Sequence, residues 1–195
     1  MLLSTPRGVD TSSVSTTVPE QPVPPWLADQ RATAAAASRS LGPSGWVVLQ
    51  HQLRPEEAVA DLDLLLVGPG GVLVVDVVHR SQELRVDVGG LLVGRAHDHG
   101  LVRGLRSRTH DVARRLAPVG VPEPTVVGVL AVAGPLAAAD QVGDVEVCRT
   151  DDLALLARGL RPVLDAAQVR SALDRLSALG HVAPVPRTWR ALIPA

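Results

Sequence analysis

The sequence predicts an α/β fold, a mixed central β-sheet flanked by helices, and three observations carry that prediction. Strand-like apolar runs alternate with stretches of helical period in the order helix, strand, hairpin, hairpin, helix, strand, strand, helix, helix. Two runs, 62–67 and 72–78, are apolar almost throughout and are joined by Gly68-Pro69-Gly70-Gly71, which marks a central hairpin. The stretches 101–116 and 165–179 each carry one apolar stripe at helical spacing. The pattern is that of a sandwich, not of a doubly wound cofactor fold.

In chain order, residues 1–25 are rich in Ser, Thr, Val and Pro without a usable period, and read as a flexible tail. A single domain is expected over 26–180, with a short tail at 181–195. Residues 27–41 favour helix through their alanines, and Gly42-Pro43 stops it. The small side chains of this helix would let it lie close to a sheet. A strand is expected over 46–53, then the loop Arg54-Pro55-Glu56-Glu57, then the central hairpin, whose glycines can supply positive φ. A second hairpin, 83–88 with 91–95, turns at Gly89-Gly90. Helix 101–116 places Val102, Leu105, Val112 and Leu116 on one face and Arg103, Arg106, His110 and Arg114 on another. Strands follow at 125–133 and 144–148. A helix over 151–158 has Thr150 as its expected N-cap and two acids in its first turn. The last helix, 165–179, has Val169, Ala172, Leu173 and Leu176 as its buried stripe and Gly180 as its stop.

Composition narrows the function classes. With 195 residues, 46% of them hydrophobic, the chain can bury a substantial core, built from branched aliphatics because Phe and Tyr are absent. Trp26, Trp46 and Trp189 are the only aromatic platforms, which argues against a single-strand binder that stacks bases in series. Lys is absent, so all 19 cations outside histidine are arginine, and the formal net charge is -1. Such a balance excludes a histone-like coating role, and any affinity for nucleic acid must come from a local arginine patch. Cys148 is alone, so no intramolecular disulfide or cysteine-based zinc site can form. No secretory pattern opens the sequence, and its apolar stretches are broken well short of the ~20 residues of a membrane span. A soluble, cytoplasmic protein without a membrane partner is expected.

The chemistry gathers at Asp63 and Asp76, at opposite ends of the central hairpin sequence. An unpartnered carboxylate among the valines around Asp76 would be costly to bury. Two acids on adjacent strands could hold a divalent cation, and a cationic side chain two residues beyond the second acid could reach a phosphate held by that metal. Alternation puts positions 76 and 78 on the same face, but position 78 is valine. His79 points to the opposite face, and Arg80 shares the right one at the strand end. His97-Asp98-His99 reads as a polar solvated loop. His51, His110 and His181 lack ligand spacing. Gly68-Pro69-Gly70-Gly71 joins strand to strand without the lysine of a phosphate-binding loop, so it is a turn.

The stretch from Gly45 to Gly94 resembles the nuclease-related domain (NERD), a bacterial branch of the PD-(D/E)xK superfamily with a restriction-endonuclease-like fold. The matching residues are Gly45-Trp46-Val47-Val48-Leu49, Asp61-Leu62-Asp63 through Gly71-Val72, Val74-Val75-Asp76 and Gly89-Gly90-Leu91. The resemblance extends weakly over about 27–180. It implies Asp63 and Asp76 as catalytic metal ligands for Mg²⁺, with the backbone carbonyl of Val77 as a third. It also implies Lys at position 78 and an acid in the first helix, where Gln30 stands. A bound Mg²⁺ would lower the pKa of a water, and loss of one preorganised cation costs about 10²–10³ in rate.

Three functions follow as expectations. The first is a catalytically impaired nuclease fold retained for binding DNA or a protein partner. The second is an active Mg²⁺-dependent DNA nuclease in which Arg80 or Gln30 takes the place of the lysine. The third is a protein-interaction scaffold without a nucleic-acid role. For the DNA-binding readings, Arg80, Arg103, Arg106 and Arg114 are the candidate phosphate contacts.

Overall fold

The structure is a computed structural model that describes residues 23–50 and 62–178. The N-terminal stretch, His51, the loop Arg54 to Glu57, Gly180 and the 181–195 tail lie outside the described residues. Helix α1 (Pro25–Leu41) begins on a proline at its first position and runs into a 3₁₀ turn, Gly42–Ser44. Proline suits that place because it has no N–H for the helix to leave unbonded. Strand β1 (Val47–Gln50) precedes the central hairpin β2 (Leu64–Gly68) and β3 (Gly71–His79). Then come β4 (Leu84–Asp87), β5 (Gly90–Val93), β6 (Ala96–His97) and α2 (His99–Leu116). Strands β7 (Val126–Ala133), β8 (Asp140–Val142) and β9 (Val145–Arg149) lead to α3 (Leu153–Gly159) and α4 (Ala166–Ala178).

Six strands form a mixed sheet in the order β1-β2-β3-β7-β9-β8, and β4-β5-β6 form a small antiparallel sheet. The central strands β3, β7 and β9 run parallel, and the pairs at the sheet's two ends are antiparallel. Strand β3 is buried from Gly71 to Val78, as its position between β2 and β7 demands. Its side chains alternate between two cores. Val72, Val74 and Val78 pack with Val102 and Leu105 of α2 and Val169 and Leu173 of α4. Leu73, Val75 and Val77 pack with Ala34, Ala37 and Leu41 of α1 and Leu153 and Ala157 of α3. The protein is thus an α/β sandwich, with helices on both faces of the large sheet. Among the described residues, no helix is long and apolar enough to cross a membrane.

Several local expectations need correction. Of the turn glycines, only Gly71 has positive φ, at 122°. Gly68 and Gly70 are small for another reason: a Cβ on Gly68 would run into the indole of Trp46, which is buried against the hairpin, and one on Gly70 would run into Leu160 and the edge of the same indole. Thr150 is not an N-cap. It opens a 3₁₀ turn, Thr150–Asp152, and α3 starts after it without a side-chain cap. The chain leaving β9 tightens before it can adopt the wider α geometry. His97-Asp98-His99 is ordered structure on the surface. His97 ends β6, Asp98 caps α2 by accepting from the N–H groups of Gly100 and Leu101, and the two imidazoles stack 5.7 Å apart. In α4, Asp165 and Gln168 bond reciprocally, side chain to backbone, and the buried stripe is Val169, Ala172, Leu173 and Leu176.

Cys148, on β9, is 4% exposed in the α1/α3 core. Burial first, then the charges of Asp152 and Glu146, push its thiol from the ordinary 9.0 up to about 12. The thiolate is the reactive form, so disulfide reagents at pH 8 should leave the native protein unmodified and label it promptly in denaturant. A pH consequence follows. Between pH 9 and about 12 the unfolded thiol has lost its proton while the native one keeps it. The native state then binds more protons, and this contribution to stability, complete below pH 9, is lost as pH rises through that window. Cys148→Ala should flatten the alkaline decline, and an unchanged decline would contradict the assignment.

Candidate functional site

The register of the central hairpin sets the site. Leu64 pairs with Val75, so one step further Asp63 comes opposite Asp76. Both carboxylates line an open cavity of ≈ 380 Å³, together with Val77, Val78, Arg80 and Arg108. Trp26, His79 and Leu101 complete its lining.

Asp63 is held by two N–H donors. Gln30 Nε2 of α1 donates to Oδ1 at 3.0 Å, and the Val77 backbone N–H donates to Oδ2 at 2.6 Å. A carboxylate only accepts, so the nitrogen side of the Gln30 amide must face it. Gln30 is itself buried, and so is Asp76, at 6% exposure. Asp76 forms an ion pair with Arg108 of α2, whose Nη2 donates to Oδ2. A guanidinium is a better partner than an ammonium in such a place, because it is planar and more weakly hydrated.

Val78 lies two residues beyond Asp76 on the same face, 7% exposed and packed in the α2/α4 core. His79 turns the other way, and its Nδ1 lies 2.5 Å from Asp29 Oδ2 of α1. Arg80 lines the cavity, but its Nη1 bends back to the carbonyl of His79, 3.2 Å away. Val77, expected through its carbonyl, contributes its N–H to Asp63.

The structure separates the arginines that the sequence grouped together. At 100° per residue, Arg108 lies about 140° around α2 from Arg103. Arg103 and Arg106 line a different cavity, and Arg106 is paired with Asp144. Arg114 pairs with Asp111, and His110 meets Glu123. The expected stripe of Arg103, Arg106 and Arg114 therefore does not converge on the aspartates, whereas Arg80 does. Arg108, which the sequence reading passed over, is the residue that does most at the site. One signal pointed to it: about 60° around the helix from buried Leu105, its charge needed a partner close by.

Mg²⁺ takes oxygen ligands and holds its geometry strictly. Here N–H donors occupy both Asp63 oxygens, and a guanidinium stands on Asp76. Among the described residues no three His, Cys, Asp or Glu side chains gather closely enough to hold a metal ion. The residues present do not fit a resident Mg²⁺. No family model, curated protein or solved structure matches the chain.

Proposed function

We propose that residues 26–180 form a nuclease-related domain of the PD-(D/E)xK type that has lost catalysis and is retained for binding DNA or a protein partner. The observation that carries this reading is that both acids are engaged from within the protein, Asp63 hydrogen-bonded by Gln30 and Asp76 ion-paired with Arg108. In a metal-dependent site of this design, a glutamate at position 30 and the two aspartates would repel one another unless a cation lay among them. Glutamine removes one charge and donates a hydrogen bond; Arg108 supplies the positive charge that Asp76 would otherwise draw from a metal. Val78 fits the same account, since an apolar side chain can be packed into the core where a lysine would have had to reach phosphate. The hairpin and its opposed acids are architecture that this reading inherits from a nuclease.

A Mg²⁺ cleavage assay on duplex and single-stranded DNA tests the proposal. Gln30→Glu/Val78→Lys restores the missing groups, and adding Arg108→Ala frees Asp76. Cleavage is expected only after all three changes, and it should vanish again when Asp76→Ala is introduced. Wild-type protein that cuts as fast as the triple variant would overturn the reading.

A further inference from the structure

A second cavity, of ≈ 320 Å³, lies on the other flank of α2 from the aspartates. One wall is the bare backbone of the β4–β5 turn, Gly89 and Gly90, and another is the first two turns of α2. Its floor is apolar, with Leu91 and Val102 both buried. Its rim carries two arginines, one of them already ion-paired. Arg106 is fixed there by Asp144 through Nε and by the carbonyl of Val142 through Nη2, at 3.2 Å. Arg103, one turn earlier and exposed, makes no ion pair or hydrogen bond among the described residues.

The nearby acids are committed elsewhere. Asp98 caps α2, Asp144 holds Arg106, and Asp87 accepts from the Gly89 N–H at 2.8 Å and faces His97 at 3.8 Å. Among these groups Arg103 brings the uncommitted charge, and it is positive. At Gly90 the missing side chain leaves backbone open to a ligand, whereas the corresponding space at Gly89 is filled by the His97 imidazole. The volume falls at the small end of the range for small-ligand sites, about 300–1,000 Å³.

We propose that this cleft binds a nucleotide unit through its phosphate ester. Arg103 presents its whole guanidinium fork to the phosphate, and Arg106, at i+3, adds Nη1, since its Nε and Nη2 are held by Asp144 and Val142. Leu91 and Val102 lie under the sugar or base. The proposal does not rest on the reading of the aspartate pair, which occupies the opposite flank of the helix.

The test uses the full chain and fluorescence anisotropy with two labelled probes, a single-stranded oligonucleotide and a nucleoside monophosphate, each at two salt concentrations. At least one probe should bind, and more weakly at the higher salt. Arg103→Ala should weaken binding about tenfold, the usual effect of losing one charge-assisted contact, and Arg103→Glu should abolish it. Arg158→Ala, exposed on α3 and outside the cleft, should bind as the wild type does. The probe that responds distinguishes a strand from a free nucleotide. Arg103 is exposed, so its variants should melt with the wild type. Failure of both probes to bind, or wild-type affinity in Arg103→Ala and Arg103→Glu, overturns the proposal. Neither outcome bears on cleavage at Asp63 and Asp76.

Discussion

Replacing Arg108 with alanine should lower the unfolding free energy by about 3 kcal/mol, the usual cost of removing one member of a buried ion pair. The two side chains are only 20% and 9% exposed, so water replaces little of what is lost. The loss should be conditional. In Asp76→Leu/Arg108→Met the charge disappears along with its partner, and apolar pairs of similar volume are often as stable as the ion pair they replace. A double-mutant cycle by urea denaturation should therefore show a coupling of about 1–3 kcal/mol between positions 76 and 108. Additive losses would mean that Arg108 does not neutralise Asp76, and the account of the site would fall with it.

Gly71→Ala should be still more damaging, at about 3–5 kcal/mol, from backbone strain and overpacking together. Its φ of 122° is one that L side chains rarely adopt, and an added Cβ would lie 2.3 Å from the carbonyl oxygen of Thr125. That oxygen belongs to the segment entering β7, which pairs with β3 from its first residues, so neither strand can yield without breaking the ladder. Gly68→Ala makes a different collision, 2.3 Å from the Trp46 ring. A side chain can be trimmed, so Trp46→Leu should partly rescue Gly68→Ala and leave Gly71→Ala unrescued. For a chain of this size about 3 kcal/mol corresponds to a fall of some 6–12 °C in melting temperature. A Gly71→Ala protein that melts with the wild type would show that the hairpin is not held as described.

These two predictions draw on different parts of the sequence, and they show what was legible in it. The large sheet, its central hairpin and the stripes of α2 and α4 follow from apolar period alone, because burial on one or both faces imposes that period directly. The stripe Val169, Ala172, Leu173, Leu176 is the clearest case. Short edge elements carry no such imprint. Strands β6 and β8, of two and three residues, have almost no buried apolar side chains to betray them. The glycines of the turn were visible, but their reasons were not, since Trp46 reaches Gly68 and Gly70 only in the folded hairpin.

The site divides in the same way. Asp63, Asp76 and Val78 stand out by strand alternation and by the rarity of a carboxylate in an apolar run. The register then sets the acids opposite each other. Their partners come from helices distant in sequence, Gln30 33 positions before Asp63 and Arg108 32 positions after Asp76. Nothing local ties an arginine on α2 to an aspartate on β3. Sorting the helix into a buried face and a basic face drew attention to Arg103, Arg106 and Arg114, while the flank between the two faces held the residue that answers Asp76.

The most direct test of the proposal, that Gln30 and Arg108 engage the acid pair from within the protein and leave it without catalysis, is cleavage of labelled duplex and single-stranded DNA by the wild-type chain in Mg²⁺. The account predicts no turnover beyond that of an Asp76→Ala control prepared in parallel. Multiple-turnover cleavage that depends on Mg²⁺ and disappears in Asp76→Ala would contradict it.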